Sequence, residues 1–542
     1  MNVGQFYQWC LVAALAALGT NLGLPRAVAA QPGPANAEAG VQVLTRGPVH
    51  EAFAETVTFD PEPGIVVPKA PPAAIEELPP DQKPEGANVT WIPGYWGWDD
   101  ERSDFLWVSG IWRDLPPGRQ WVPGYWAKSA QGFQWTSGYW ADAKVTQVQY
   151  LPEPPATVEA GPNVAATSAD ATWLPGCWVW NETRYAWRPG LWATVQPDWD
   201  WVPDHYVYAP RGYVFVDGYW DYSIGRRGVL FAPVYFDAGA YGRPGFSYSP
   251  TTVIDLSVFA NHLFLRPQYQ HYYFGDYYSA NYQAAGFYPS YSYNSGRYGY
   301  DPIYAHQRWQ HRQDGQWQHH MAADFQNRRD HEDARPPRTL AAQRALSTGG
   351  VRSPEANPAV AVPFSQFTRS QNSPIRYQPV DQSERQKLGQ RGQDMQRFGE
   401  ERQKLETAAA PTSGKQPAKQ LSPATGRLPT SPIVARPNAE LGKDHVPPQM
   451  HVAPKTDLTV QAKPRATRSP EPPQQRPQPR PPLDTAQPQP HPQARIERPA
   501  PQAQPREERP ASPPRPQPKA ERPASQPAAG PPSAGPNQDK HK

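Results

Sequence analysis

The sequence predicts a mainly β fold: an antiparallel meander of aromatic-rich repeat strands in two duplicated blocks, followed by polar helices and a long disordered Pro-rich tail. Three observations predict it. A hexamer bounded by aromatic residues recurs between 91 and 236 in two series, every 14 or 16 residues within each. The 20 Trp, 27 Tyr and 17 Phe are concentrated before residue 330. The stretch from Pro464 to Lys542 holds 24 of the 71 prolines, interspersed with Arg, Gln, Glu and Lys, so it cannot bury a core.

The first series of hexamers is Trp91-Ile-Pro-Gly-Tyr-Trp96, Trp107-Val-Ser-Gly-Ile-Trp112, Trp121-Val-Pro-Gly-Tyr-Trp126 and Trp135-Thr-Ser-Gly-Tyr-Trp140. The second is Trp173-Leu-Pro-Gly-Cys-Trp178, Trp187-Arg-Pro-Gly-Leu-Trp192, Trp201-Val-Pro-Asp-His-Tyr206 and Phe215-Val-Asp-Gly-Tyr-Trp220, followed by a decayed Phe231-Ala-Pro-Val-Tyr-Phe236. Pro71-Pro-Ala-Ala-Ile-Glu76 before the first series is echoed by Pro154-Pro-Ala-Thr-Val-Glu159 before the second, so the block itself is duplicated. These Pro-rich leads read as braces or as linkers, because such sequence favours extended, unpaired backbone.

A 14-residue period is too short for a helical hairpin, whereas a strand plus a turn fits it. Polar stretches such as 99–104, 128–132 and 223–228 supply the turns, and length changes of two preserve which face each side chain takes. The two aromatics of a hexamer are five apart, so a regular strand would send them to opposite faces. A bulge at the Gly would realign them, with Pro tolerating the lost donor and Asp204 visiting the same backbone region. A tight Pro-Gly turn inside each hexamer is the other local structure that fits; the bulge is the expectation because hairpins prefer the mirror-type turns. Three rings per unit do not offset the entropy of ordering fourteen residues, so neighbours must share contacts.

At these residues the sequence resembles the bacterial WXXGXW (YXWGXW) repeat proteins, over about residues 91–220. Asp204, Tyr206 and Phe215 depart from the pattern without changing its physical type. The resemblance implies an envelope or extracellular β-repeat module and supplies no functional residues.

The remaining organisation follows from composition. Residues 1–30 read as a signal peptide, with an apolar run from Cys10 to Leu24 and the small-residue site Ala27-Val28-Ala29. The start carries no Lys or Arg, so an uncleaved anchor or a misassigned start stays open. Residues 31–66 are expected as a flexible lead, 67–140 and 141–236 as the repeat blocks, and 237–303 as a Tyr-rich irregular region packed on the repeats. Within it, 253–264 suits a short amphipathic helix or strand. Residues 304–346 form a polar helical segment interrupted at Gly315, with Trp309, Trp317 and Phe325 as anchors. Residues 347–542 form the tail, with a marginal helix at 383–406 that opens with a Ser383/Gln386 capping box, carries Leu388, Met395, Phe398 and Leu405 as a stripe, and is weakened by Gly389, Gly392 and Gly399.

No catalytic, cofactor-binding or metal-binding residues are assigned. A Gly-rich phosphate loop, zinc spacing and a G-x-S-x-G elbow are all missing from the sequence. His306, His311, His319, His320 and His331 are expected to be solvated, with only His320 and Asp324 at helical i, i+4 spacing. Solvation likewise explains Asp99, Asp100 and Glu101 in their turn. Cys177 replaces a repeat Tyr and reads as a packing residue; with Cys10 inside the signal, no disulfide is expected. The mixed charge of the Pro-rich tail argues against a dedicated nucleic-acid arm, which would show net basic blocks. The expectation is an exported, non-catalytic structural protein of the cell envelope or exterior, periplasmic, envelope-bound or extracellular. The alternative is a module that binds cell-wall or other polysaccharide through exposed aromatic faces, and other envelope proteins are further candidate partners.

Overall fold

The computed structural model describes residues 40–166, 168–237, 239–348, 359–370, 375–408, 422–437 and 446–448. The expected signal peptide, residues 31–39 and nearly all of the tail beyond 437 lie outside the described residues.

The eight clear hexamers form four antiparallel hairpins, at 89–114, 119–142, 171–194 and 199–222, each built from two successive copies. The predicted antiparallel repeat architecture is present, and its meander is divided into these units. In the first, Val89–Ile92 pairs with Ile111–Asp114, and Tyr95–Asp99 pairs with Asp104–Val108. Pro93-Gly94 and Ser109-Gly110 face each other between the two ladders without being part of either. The register is unchanged across this break, with Ile92 opposite Ile111 and Tyr95 opposite Val108. Neither strand has an extra residue, so the interruption is symmetric and the expected bulge is corrected: a bulge would have shifted the register by one.

Antiparallel pairing of identical hexamers sets like against like. Trp91 faces Trp112 and Trp96 faces Trp107, with ring centroids 5.3 and 5.2 Å apart and edge-on geometry. The same two cross-strand pairs recur as Trp121/Trp140 and Trp126/Trp135, Trp173/Trp192 and Trp178/Trp187, and Trp201/Trp220 and Tyr206/Phe215. Directly opposed rings gain both area burial and favourable quadrupole geometry. Because nothing realigns the strand, the two pairs of one hairpin serve different parts of the core. Trp91 and Trp112 pack with Phe231, Val253 and Phe364, while Trp96 and Trp107 pack with Val67, Phe105 and Val234.

The repeated glycine has a different cause from the one its chemistry first suggests. No hexamer glycine has positive φ. Instead, the first Trp of each facing hexamer lies on it. A Cβ at Gly110, Gly124, Gly138, Gly176, Gly190 or Gly218 would come within 2.4–2.5 Å of that indole's Cζ2. Among the eight clear hexamers, the one that replaces Gly, with Asp204, is the one whose facing copy begins with the smaller Phe215.

Among the described residues consecutive hairpins share no ladder; other strands widen them. The decayed ninth copy and the strand before it lie along the first hairpin, Gly228–Leu230 on Ile111–Arg113 and Val234 opposite Trp107. Val66–Val67 extends the second hairpin and Gln147–Leu151 the fourth. The third hairpin has only its own strands.

Several expected boundaries are corrected by packing. Within the expected flexible lead 31–66, residues 45–54 are buried, with Val49, Ala52 and Phe53 at the centre of the main core. This segment carries the apolar side chains around which both repeat blocks close, so the blocks share one core. Region 237–303 is more regular than expected. Thr252–Ile254 is a strand, Leu256–Phe259 a short helix, and Leu263–Arg266 a strand in a four-stranded sheet with His271–Phe274, Gly47–Pro48 and Tyr288–Pro289. The helical segment is divided into Pro302–Gln310, Trp317–Asp330 and Leu340–Thr348.

The marginal helix is a continuous one, Gln382–Ala408. Its cap is Asp381, which accepts from the Glu384 N–H at 2.9 Å, in place of the expected Ser383. It buries Leu388, Gly392, Met395, Phe398, Gly399, Arg402 and Glu406 along the repeats, and its glycines let it lie close to Leu78, Pro93 and Pro123. The part of the expected tail from 422 to 436 adds strands to the repeats. Ala424–Arg427 pairs with Gln147–Tyr150, and Ile433 is buried, its carbonyl accepting from the Trp121 N–H. Tertiary contact with the repeats supplies what these polar segments lack in intrinsic propensity.

Candidate functional site

The symmetric break in each hairpin leaves backbone N–H and C=O groups without ladder partners, and buried groups of this kind must be satisfied elsewhere. On the N–H side, each hairpin uses a carboxylate. In the first, Glu77 accepts from Gly94 N–H at 2.6 Å, from Gly110 N–H at 2.9 Å and from the Trp107 indole N–H at 3.0 Å. In the second, Glu51 accepts from Gly138 N–H at 2.9 Å and Trp135 Nε1 at 3.0 Å. In the third, Glu159 accepts from Gly176 N–H at 2.5 Å and Trp173 Nε1 at 3.0 Å. In the fourth, which lacks the corresponding Trp, Asp204 itself accepts from Gly218 N–H at 2.7 Å.

In the first three hairpins, therefore, the W-x-x-G tetrad is a two-pronged carboxylate fork: the indole N–H of residue n and the backbone N–H of residue n+3 converge on one anion. Burial pushes the Glu51 carboxyl up to about 8 and that of Glu77 up to about 7, against the opposing pull of these donors.

The duplicated Pro-rich leads are braces that deliver two of these carboxylates. The Ala73 carbonyl accepts from Trp96 Nε1 and the Ala156 carbonyl from Trp178 Nε1, each at 3.0 Å. The carboxylate that follows is Glu77 in the first block, one position later than the repeat alignment with Glu159 suggests; Glu76 is exposed. Glu51, buried within the N-terminal segment, carries no repeat signal, and no sequence pattern marks it.

The carbonyl side of the break takes cations or imidazole. Arg402 donates to the Pro123 and Ser137 carbonyls at 2.8 and 2.9 Å, Arg119 to those of Asp217 and Gly218 at 3.1 and 3.0 Å, and His50 lies 3.0 Å from the Pro93 carbonyl. Arg402 is fully buried and paired with Glu406 at 3.0 Å; Glu406 in turn accepts from Tyr125 and Tyr150.

A second buried network joins the first and fourth hairpins. Arg113 clasps both oxygens of Asp221 at 2.5 and 2.6 Å, and Arg227 bridges Asp221 and Asp200, which sit directly opposite on paired strands. Arg227 thereby neutralises two like charges that would otherwise repel. His306 reaches Asp200 at 2.8 Å, so it is buried in an ion pair where a solvated histidine was expected. Burial lowers its tendency to charge, but the Asp200 carboxylate outweighs this and raises it. Trp199, Trp201, Trp220 and Tyr300 line a crevice of about 20 Å³, room for about one water, over this pair.

The other histidines of the segment, His311, His319, His320 and His331, are exposed, and His311 stacks on Trp317. Among the described residues no three His, Cys, Asp or Glu side chains are grouped to hold a metal ion, and no helix is long and apolar enough to cross a membrane. The turn acids are bound and not merely solvated: Arg266 and Tyr269 hold Asp100 at 2.6 Å, Arg46 holds Glu101 at 2.5 Å, and Tyr235 holds Asp99. Burial pushes the Cys177 thiol up, in keeping with a packing residue.

No curated protein and no solved structure matches the chain. The family model of the WXXGXW repeat (2 copies) matches residues 86–113, 121–141, 172–193 and 197–221, each match spanning one hairpin. Residues 86–221 are therefore repeats of the WXXGXW family, and the two copies in each match are the two strands' worth of one carboxylate-clasped hairpin.

Proposed function

We propose that this protein is an exported, non-catalytic structural scaffold of the cell envelope or exterior. One observation carries this reading: the chemical potential of the repeat is spent internally. Its rings face one another across strands, its glycines seat indoles, and its backbone breaks are closed by carboxylates of the same chain. A motif used this way builds a rigid platform from modules too small to fold singly. Fractionation of cells producing the full chain, combined with protease treatment of intact cells, tests it. Recovery in the envelope or medium is expected, and exclusive recovery in the cytoplasm would sink the reading.

Polysaccharide binding through aromatic faces is the second reading, supported by partly exposed repeat rings such as Trp201 and Trp220. Among the described residues no Trp is fully exposed, which limits this reading to partly buried ring faces. Retention of the full chain on insoluble peptidoglycan, cellulose or chitin is its expected outcome; passage through all three removes it.

A further inference from the structure

Two tyrosines close the loop 288–298. Tyr288 lies in the strand Tyr288–Pro289, opposite Leu265, and the helical turn Ser290–Tyr293 starts the chain back. Arg297 completes the return in the left-handed region, at φ 59°, and a β-carbon at Gly296 would collide with the Tyr298 ring. Tyr298 is thereby laid on Tyr288, with ring centroids 3.9 Å apart and planes 31° from parallel. Its backbone is tied to the N-terminal segment: the Tyr298 carbonyl accepts from the Phe59 N–H at 3.0 Å, and Gly299–Tyr300 pairs with Val57–Thr58.

Two features set this pair apart from the other tyrosine contacts of the described residues. The others have centroids 5.1–6.4 Å apart, and most are edge-to-face, which packs well but keeps the carbons beside the two hydroxyls away from each other. Tyr298 is also 43% exposed, the only exposed aromatic side chain among the described residues, so a reagent that cannot enter the core meets this pair first. Burial raises the pKa of the Tyr288 phenol, and the Tyr298 phenol beside it raises it further, in keeping with hydroxyl ends that lie together.

We propose that Tyr288 and Tyr298 are an oxidative cross-linking site, where a haem peroxidase using hydrogen peroxide joins them through their Cε atoms as a dityrosine. The peroxidase takes one hydrogen atom, an electron and a proton, from the exposed Tyr298 hydroxyl. The resulting radical takes a hydrogen atom from the Tyr288 hydroxyl, and the restored Tyr298 is oxidised a second time. The two phenoxyl radicals combine in a Cε–Cε bond, and the hydrogen on each of those carbons moves to the oxygen of its own ring. In sum the two rings lose two hydrogens and one peroxide is reduced to two waters. The bond locks the 288–298 loop beside the strand that holds Val57–Thr58, turning a packed contact of the scaffold into a covalent one. The step deepens the scaffold reading and rests on it, because oxidising conditions persist outside the cytoplasm. It is tested on purified protein, so its failure is distinct from a failure of export, which is read in cells.

The purified full chain is treated with a plant haem peroxidase and hydrogen peroxide, digested with trypsin and mapped by mass spectrometry. Trypsin cuts at Arg297, between the two tyrosines, so the bond is read as two joined peptides whose mass is two hydrogens below their sum. That product is expected in monomeric protein, together with the blue fluorescence of the biphenol. Groups held in contact act at effective concentrations of millimolar or above, so at about 1 µM protein this product should exceed coupling between chains by about a thousandfold. Tyr298→Phe, which removes one hydroxyl at an exposed position, should abolish the fluorescence of the monomer. Tyr288→Phe should leave Tyr298 able to couple only between chains. Tyr288 and Tyr298 left unjoined while free tyrosine in the same reaction couples, a main product at other positions, coupling chiefly between chains, or fluorescence that survives Tyr298→Phe would each overturn the proposal. The wild-type digest decides the matter even if a variant does not fold.

Discussion

The indole of Trp121 lies on the α-carbon of Gly138, so that a β-carbon at that glycine would sit 2.5 Å from Trp121 Cζ2 and 2.7 Å from the Val122 carbonyl oxygen. The indole cannot move aside, because it is buried against Trp140, and the carbonyl belongs to the backbone. Gly138→Ala is therefore expected to cost about 2–4 kcal/mol through overpacking of a closed site. Urea unfolding followed by tryptophan fluorescence measures it, and a cost below half a kilocalorie would remove steric contact as the reason for the repeated glycine.

Glu77 closes the break of the first hairpin with three donated hydrogen bonds, two from backbone. Removing the acceptor leaves buried donors unsatisfied, a larger penalty than the net worth of the bonds themselves. Glu77→Ala is expected to lose about 3 kcal/mol or more, Glu77→Gln less, because an amide oxygen still accepts. Neighbouring Glu76→Ala, at an exposed position, is expected to change stability by under about 0.5 kcal/mol in the same assay.

From the buried Glu51, Glu77, His50 and His271, stability should be level between about pH 4.5 and 6.5 and fall on either side. The Glu51 and Glu77 carboxyls are raised from 4.5 to about 8 and about 7, mainly by burial. Their folded state binds protons that the unfolded chain has released, so stability falls as pH rises through this window. His50 and His271 are lowered from 6.5 to about 4, again mainly by burial, so their contribution is present above 6.5 and is lost as pH falls toward 4. Thermal melts from pH 4 to 9 are expected to trace this plateau and the fall above it. Glu51→Gln should flatten the limb between 6.5 and 8 by up to about 1.4 kcal/mol per pH unit; an unchanged limb would contradict the assignment.

The helix Gln382–Ala408 should respond oppositely at two of its buried positions. Arg402→Met leaves Glu406 buried without its cation and the Pro123 and Ser137 carbonyls without their donor, an expected loss of about 3–5 kcal/mol. At Gly399 an added β-carbon would meet nothing closer than Pro123 Cγ at 3.9 Å. Gly399→Ala should therefore stabilise by about 0.5–1 kcal/mol through helix propensity alone. Both follow from chemical denaturation, and trypsin should spare the helix in wild type while cutting it early in Arg402→Met.

The sequence by itself determined the local design of the repeats. The recurring aromatics, the polar turns of matching parity and the duplicated Pro-rich lead are all short-range and can be read from spacing; the symmetric break at each Gly could not, and was expected as a bulge. What spacing could not reveal is which atoms of different hexamers meet. The glycine suggested unusual backbone, whereas the facing indole requires it; Asp204 looked like a tolerated change, and only the Phe215 that opens its facing hexamer explains it.

The tertiary structure alone decided the remainder. Glu51, Phe53, Arg402 and Ile433 lie far apart along the chain, in segments whose composition suggests a flexible lead or a solvated tail. They become core because four hairpins, each with an open break, present groups that cannot stay unpaired once water is excluded. Demand of that kind arises only after the hairpins come together, so no local pattern records it, and distant polar residues are drawn inside to satisfy it.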